Sequence, residues 1–379
     1  MITKSPTFCP APWTTVNIDQ TGRVMPCMHS GLELGNIKHQ TIQQVINGTV
    51  HSELKQTMAR GEWHPGCTWC QQLEATTGAS GRTVRKISAD TTKHIDCNIE
   101  YFELQHMVVN WSNLCNITCV YCNPETSTAW QSIKGIPIQH VKNEHADLIE
   151  LARQHGGTLE GLVLGGGEPL LQKGLPEFLA QLNPEQVQVL VTTNLSVDLE
   201  HNAVYQTLRH WPRVDWQVSF DNATADKFEY VRDGAKWDKF VANIRIMKSH
   251  GQRVVAHPAY SIYCAYDLVE YYDFCVAEEL DLFWCELTHP WDLDVRRLSQ
   301  DMREEAMAEI DRVIDKHGHR RNLALETLNR YRMTLKDNSY IFNINEYQPD
   351  VLAWHERIEQ ELNKTHKFID LWPQFKEQQ

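Results

Sequence analysis

The sequence predicts an α/β fold: a partial (β/α)6 barrel, with a small cysteine-rich α+β module ahead of it and a helical extension behind it. Three observations carry this. Between residues 106 and 290, short apolar runs alternate with amphipathic ones to give six strands separated by helices, which implies a parallel sheet with crossover helices. Six such units make a partial barrel, since closure takes eight. The cysteines concentrate at 9–70 and 115–122, whereas from about residue 300 only helical periodicity remains. The expected domains are a cysteine-rich module at 1–80, a linker at 81–105, the partial barrel at 106–300 and the helical extension at 301–379.

In order along the chain, the first element is a β-hairpin. Asp19-Gln-Thr-Gly22 turns the chain, and the second strand delivers Cys27. Short helices are expected at 41–46 and 51–60, the second leading to Gly66-Cys67-Thr-Trp-Cys70. The small polar stretch 76–81 reads as a loop or linker. Strand 106–111 runs into a cysteine loop. Helix 138–155, strand 161–164, helix 171–182, strand 187–192, helix 199–211 and strand 214–220 follow. Helix 235–250 places Trp237, Phe240, Ile244 and Met247 at helical spacing. Strand 253–262, helix 267–278 and strand 280–287 complete the barrel pattern, and helices 301–316 and 348–362 are the clearest of the extension. The tail at 369–375 is expected to pack Trp372 and Phe375 back onto the body.

Composition narrows the function. The 42% hydrophobic content of the 379 residues suffices for a sizeable core. The charge is 36 − 49 = −13, with no block of basic residues, which argues against a nucleic-acid duplex as partner. The first residues lack the apolar stretch of a signal peptide, and no apolar run approaches a membrane span. A cytoplasmic protein is expected, and eleven cysteines in such a chain point to metal ligation rather than disulfides.

Cys115-Asn-Ile-Thr-Cys119-Val-Tyr-Cys122 puts three thiols within eight residues. Three thiolates can hold three corners of a cubane iron–sulfur cluster and leave one iron open to bind and reduce a small molecule. Read alone, the triplet also suits part of a zinc site. Further motifs fall at strand ends, where parallel α/β folds bind ligands. Gly165-Gly166-Gly167-Glu168-Pro169 follows the second strand, and glycines there let backbone approach a ligand closely. Thr193-Asn194 ends the third strand, Ser219-Phe220-Asp221 ends the fourth, and Arg232 lies in Tyr230-Val-Arg-Asp-Gly234. Taken singly, each also reads as a capping or surface residue.

The C-x3-C-x2-C spacing and these four motifs, in order over residues 106–290, resemble the radical S-adenosylmethionine (SAM) superfamily. The resemblance implies that Cys115, Cys119 and Cys122 hold a [4Fe–4S] cluster whose open iron is chelated by SAM. It implies that Tyr121 backs the adenine, that Gly165, Gly166, Gly167 and Glu168 meet the methionine amino group, and that Asn194, Ser219 and Asp221 lie at ribose height. Arg232 matches an arginine near the SAM carboxylate, a role suited to a guanidinium fork. One-electron cleavage of SAM then yields a 5′-deoxyadenosyl radical that abstracts hydrogen from a substrate carbon, while the barrel orients the partners and excludes water. A flavodoxin- or ferredoxin-type electron donor is the expected partner.

Cys9, Cys27, Cys67 and Cys70 form a second set, and four cysteines suffice to ligate one centre completely. A structural zinc is the plain reading. The Gly22-x4-Cys27 element and the C-x2-C pair resemble the auxiliary-cluster modules called SPASM or, in the one-cluster form, twitch; that implies one auxiliary [4Fe–4S] cluster. Such modules normally follow the barrel, and here the segment precedes it.

Of the remaining cysteines, Cys97, Cys264, Cys275 and Cys285 read as apolar thiols. Glu286 and His289, after the last strand, are candidates for substrate contact or proton transfer, as are His257 and Tyr260; each has an ordinary structural reading too. The expected function is radical hydrogen abstraction with net oxidation, the auxiliary cluster accepting the electron, on a small molecule or a peptide. Little chain precedes the module, which leaves no room there for a leader-binding domain and tilts the expectation toward a small molecule. The alternatives are a redox-neutral epimerase or C–C/C–S bond-forming peptide modifier, and a metal-binding interaction protein without turnover.

Overall fold

A computed structural model describes residues 5–78, 80–82, 95, 98–138, 145–287, 289–318, 323–336 and 349–378. Cys97 and most of the expected linker lie outside the described residues. The chain divides into two compact units. The first comprises Met1–Leu114, His140–Val191 and Glu200–Val214, the second Cys115–Gln139, Thr192–Leu199 and Asp215–Gln379.

In the first unit the sheet order is Gln188–Thr193, Gly161–Gly165, His106–Asn110, Thr15–Ile18, Arg23–Met25, Gly35–Asn36. The first three are strands of the expected α/β series and pair in parallel, with Val109 opposite Leu164 and Leu164 opposite Val191. The N-terminal hairpin does not form a sheet of its own. Thr15–Ile18 adds in parallel to His106–Asn110, Val16 opposite Met107 and Ile18 opposite Val109. All of Thr15–Ile18 is buried, and Val16 and Ile18 stand beside the buried Met107 and Val109 of the neighbouring strand. The hairpin closes through Asn17 opposite Met25, with Gly22 at φ +85° and Asn36 Oδ1 only 2.8 Å from where a Cβ would stand. Helix Ile42–Ile46 starts at a Thr41/Gln44 capping box, and Thr49–Ala59 packs Leu54 and Met58 inward.

The second unit holds the parallel strands Val214–Val218, Arg253–Ala256 and Asp281–Leu282, with Val254 opposite Trp216 and Val255 opposite Asp281. The expected fifth strand is interrupted: Arg253–Ala256 stops before His257-Pro258, and Ala259–Tyr260 resumes in a separate parallel pair with Cys285–Glu286. Proline has no N–H to give the ladder. The sixth strand breaks at Phe283-Trp284, with Trp284 buried. Around helix Trp237–Ser249, Phe240, Ile244 and Met247 are buried, and Phe220 stacks on Tyr271 at 4.7 Å. Within 138–155 the described helix is His145–His155. The extension comprises Gln300–His317, Leu323–Lys336, which the sequence reading did not single out, and Val351–Glu361. Trp372 and Phe375 are fully buried, as expected of the tail.

No helix among the described residues is long and apolar enough to cross a membrane, and no disulfide joins the described cysteines.

Candidate active site and cysteine centres

In the second unit the cysteine loop is held from several sides. Thr118–Cys119 pairs antiparallel with Arg232–Asp233, placing Cys119 opposite Arg232, and the Val120 N–H donates to Val231 O at 2.9 Å. The helix Thr128–Ile133 clamps the loop's backbone. The Cys115 N–H donates to Thr128 Oγ1 at 3.2 Å, Ser127 Oγ donates to Ile117 O at 3.3 Å, and the Trp130 indole N–H donates to Cys119 O at 2.9 Å. The Asn194 amide donates to Cys115 Sγ at 3.7 Å and to Asn116 Oδ1 at 3.2 Å.

The three thiols share one electrostatic neighbourhood. The Cys119 thiol donates to the Cys122 sulfur; this raises Cys119, burial adding to it, and lowers Cys122, while the charge of Cys115 also acts on Cys122. A buried ion pair adjoins them. Arg232 Nη2 lies 2.9 Å from Asp221 Oδ2, with the side chains 6% and 0% exposed. The Tyr121 hydroxyl donates to Asp221 Oδ2 at 3.0 Å and accepts from Arg232 Nη2 at 2.5 Å. Asp221 Oδ1 accepts the Ala259 N–H at 2.9 Å, made available where proline interrupts the strand. Arg232 Nη1 faces Cys119 Sγ at 3.8 Å, and its buried Nε has no partner among the described residues. Ser219 is half-buried, and its N–H donates to Thr193 O at 2.9 Å.

Farther along the same unit, Glu286 Oε2 accepts from Arg296 Nη1 at 3.2 Å. Burial raises its carboxyl above the usual range, against the pull of Arg296. Glu286 lines a small recess with Tyr260, Asp294, Arg296 and Tyr331, and the buried Tyr260 hydroxyl has no partner among the described residues. His257 is lowered by burial and its Nδ1 meets Phe283 O at 2.9 Å. Cys285 is pushed up to about 12 by burial. His289 is exposed, against the Trp291 ring at 5.4 Å.

The glycine run lies in the first unit, packed on the segment that leads into the cysteine loop. The Gly167 N–H donates to Ser112 O and that of Glu168 to Leu114 O, both at 2.7 Å. A Cβ on Gly166 would stand 2.6 Å from Ser112 O, and one on Gly167 2.3 Å from Leu114 O. Backbone approach is therefore why glycine stands here. Glu168 is wholly buried and its carboxylate accepts the Leu170 N–H at 2.9 Å, capping the turn Pro169–Leu171.

The same unit gathers the other four cysteines. Cys9 is buried; Cys27, Cys67 and Cys70 are half-buried. Burial pushes Cys67 up to about 12, and the charges of Cys9, Cys27 and Cys70 add to it. Ser30 Oγ donates to Gly66 O at 2.9 Å, joining the turn after Cys27 to the turn that starts Pro65–Cys67, and helix Thr68–Thr77 carries Cys70. Among the described residues no three His, Cys, Asp or Glu side chains converge as ligands of a single ion. A cubane meets each cysteine at its own iron, so its ligands spread rather than converge. Three thiols beside a buried arginine with a spare N–H, and four mutually interacting thiols, suit a cluster with an open iron and a fully ligated one.

Residues 109–262 match the family model described as the radical SAM superfamily, and residues 9–71 match an iron–sulfur cluster-binding domain, SPASM. The chain thus carries a radical SAM domain and, ahead of it in sequence, an auxiliary cluster-binding module. Its cofactors are SAM, the [4Fe–4S] cluster that SAM serves, and an auxiliary iron–sulfur cluster. Among curated relatives, a GTP 3′,8-cyclase of Hydrogenovibrio crunogenus is 27% identical over 147 residues, 38% of this chain and 41% of that one. A probable GTP 3′,8-cyclase of Archaeoglobus fulgidus is 31% identical over 131 residues, 34% of this chain and 40% of that one. The match spans about two fifths of the length of these relatives. The crystal structure of Streptococcus suis SuiB bound to precursor peptide SuiA aligns at a TM-score of 0.45 and 15% identity, covering 72% of this chain and 64% of that one.

The sequence reading missed the residues that hold the cysteines rather than ligate them: Thr128, Trp130, Asp233 and Lys364. Thr118 Oγ1 donates to Asp233 Oδ2, and Lys364 Nζ donates to Asp233 Oδ1 and to Tyr230 O, each at 2.7 Å. The Ser127 N-cap was the one local signal available.

Proposed function

We propose that this chain cleaves SAM reductively at Cys115, Cys119 and Cys122 and uses the resulting 5′-deoxyadenosyl radical to abstract hydrogen from a substrate carbon, with net oxidation. The observation that carries this reading is the locking of the cysteine loop to Arg232, Asp221 and Tyr121. Bound to these three cysteines, the cluster would supply the electron and SAM the radical.

The chain's own groups have separable tasks. Asp221 holds the Arg232 guanidinium in place and occupies Nη2, leaving Nε as the donor for a SAM carboxylate. Tyr121 is oriented by its two hydroxyl contacts so that its ring can back an adenine. Asn194 donates to the Cys115 sulfur, and such contacts favour the thiolate. Gly165, Gly166, Gly167 and Glu168 brace the segment before the loop. Ser219 is assigned to the ribose. Glu286, whose carboxyl burial raises above its usual range, is the group assigned to proton transfer, with His289 as an outer contact. Cys9, Cys27, Cys67 and Cys70 would hold the auxiliary cluster, which supplies an electron acceptor. The relatives named GTP 3′,8-cyclase favour a small-molecule substrate, and a flavodoxin- or ferredoxin-type protein would donate the first electron.

The test is anaerobic incubation of the iron- and sulfide-reconstituted protein with SAM and a strong reductant. 5′-Deoxyadenosine should form, and Cys119→Ala should abolish it; equal yields from both proteins would overturn the reading. With substrate in hand, loss of two hydrogens supports oxidation, whereas unchanged mass with deuterium taken from solvent supports an epimerase instead.

A further inference from the structure

We propose that Arg82 is the positioning residue of the four-cysteine centre and the source of its compensating charge. The role rests on the assignment of that centre to Cys9, Cys27, Cys67 and Cys70.

The geometry is that of a staple. Arg82 Nη1 donates to the carbonyls of Pro6 at 3.0 Å and Phe8 at 2.8 Å, and the second of these oxygens belongs to the peptide directly before Cys9. The other edge of the guanidinium faces Glu74: Nε donates to Oε1 at 2.8 Å, and Nη2 pairs with Oε2. Glu74 stands four residues after Cys70 on the helix Thr68–Thr77, about one turn along the same face. A single side chain therefore ties the segment carrying Cys9 to the helix carrying Cys70. Ser80 Oγ donates to Glu74 Oε1 at 2.5 Å and accepts the Arg82 N–H at 3.1 Å, and the guanidinium lies 4.8 Å from the Trp63 ring centroid. Arg82 and Glu74 are only 7% and 15% exposed, so neither is screened as a surface pair would be. Lysine could not replace this arrangement, because a point ammonium lacks the planar fork that serves two carbonyls and a carboxylate at once.

The charge has its own consequence. Arg82 Nη1 sits on the carbonyl of the peptide directly before Cys9, which sets its positive charge beside the backbone of a cysteine of the centre. A four-thiolate cluster is anionic and gains further negative charge on reduction, so a buried cation beside it raises its reduction potential.

The experiment compares the reconstituted full chain with Arg82→Met, Arg82→Lys and Cys67→Ala/Cys70→Ala, by iron and sulfide count and by a redox titration followed by electron paramagnetic resonance. The parent should hold about eight irons and the double cysteine variant about four. Arg82→Met should lose auxiliary irons, and whatever auxiliary cluster remains should titrate at lower potential, with the signal of the SAM-binding cluster unchanged. Arg82→Lys should recover the potential toward the parent while its auxiliary occupancy stays below it. Eight irons at parent potential in Arg82→Met would overturn the proposal, as would loss of both cluster signals together. Eight irons in Cys67→Ala/Cys70→Ala would overturn the cysteine assignment beneath it.

Discussion

Removing Asp221 should expose how the ion pair beside the cysteine loop is balanced. Its carboxylate accepts from Arg232 Nη2 at 2.9 Å, the Tyr121 hydroxyl at 3.0 Å and the Ala259 N–H at 2.9 Å, with its side chain fully shielded from solvent. In Asp221→Ala the guanidinium stays buried next to Cys119 without a counter-ion. Breaking a buried pair from one side costs about 3–5 kcal/mol, most of it the stranded charge. Asp221→Ala/Arg232→Met removes both charges, so it should be less destabilised than the sum of the two single variants by at least about 2 kcal/mol. Urea unfolding followed by tryptophan fluorescence under anaerobic conditions reads this as a shift in midpoint at constant slope. A cost under about 1 kcal/mol for Asp221→Ala, or strict additivity in the cycle, would refute the view that Asp221 exists to neutralise Arg232.

Three further outcomes are expected. Gly167→Ala drives a Cβ into Leu114 O, and should cost about 1–3 kcal/mol by the same unfolding assay, while Gly157→Ala, which meets nothing within 4 Å, stays near the parent. Lys364→Met deletes two 2.7 Å hydrogen bonds from an ammonium that is 5% exposed; it should cost about 2–3 kcal/mol and speed hydrogen exchange in 351–371. His355 is buried between Val351 O and the Tyr263 hydroxyl, and burial lowers it from 6.5 to about 3. The unfolded chain therefore binds the extra proton between those values, so this contribution is complete above pH 6.5 and is lost as pH falls toward 3, on the order of 2 kcal/mol by pH 5. In NMR titrations the His355 ring should show no transition between pH 5 and 8; a midpoint near 6.5 would contradict its burial as the neutral form.

What is readable from sequence here is local. The C-x3-C-x2-C loop, the glycine run, and the quartet's hairpin and C-x2-C pair are each encoded within a few residues, so spacing alone is enough to find them. The parallel strands of the first unit are legible for the same reason, because apolar periodicity is a property of neighbours along the chain. Other features depend on partners far apart in sequence. No local signal says that Thr15–Ile18 will extend the sheet beside His106–Asn110, since that pairing is decided by matching buried faces. Pro258 hints at the broken strand, but only the fold shows that the break lends the Ala259 N–H to Asp221. Arg82 falls in what reads as a linker, and Lys364 lies just beyond the expected helix 348–362. Their burial follows from packing, and buried charges acquire partners because leaving them unpaired is costly. The sequence by itself determined which thiols stand close enough along the chain to be candidate ligands; the tertiary structure decided what holds those atoms in place and which charges surround them.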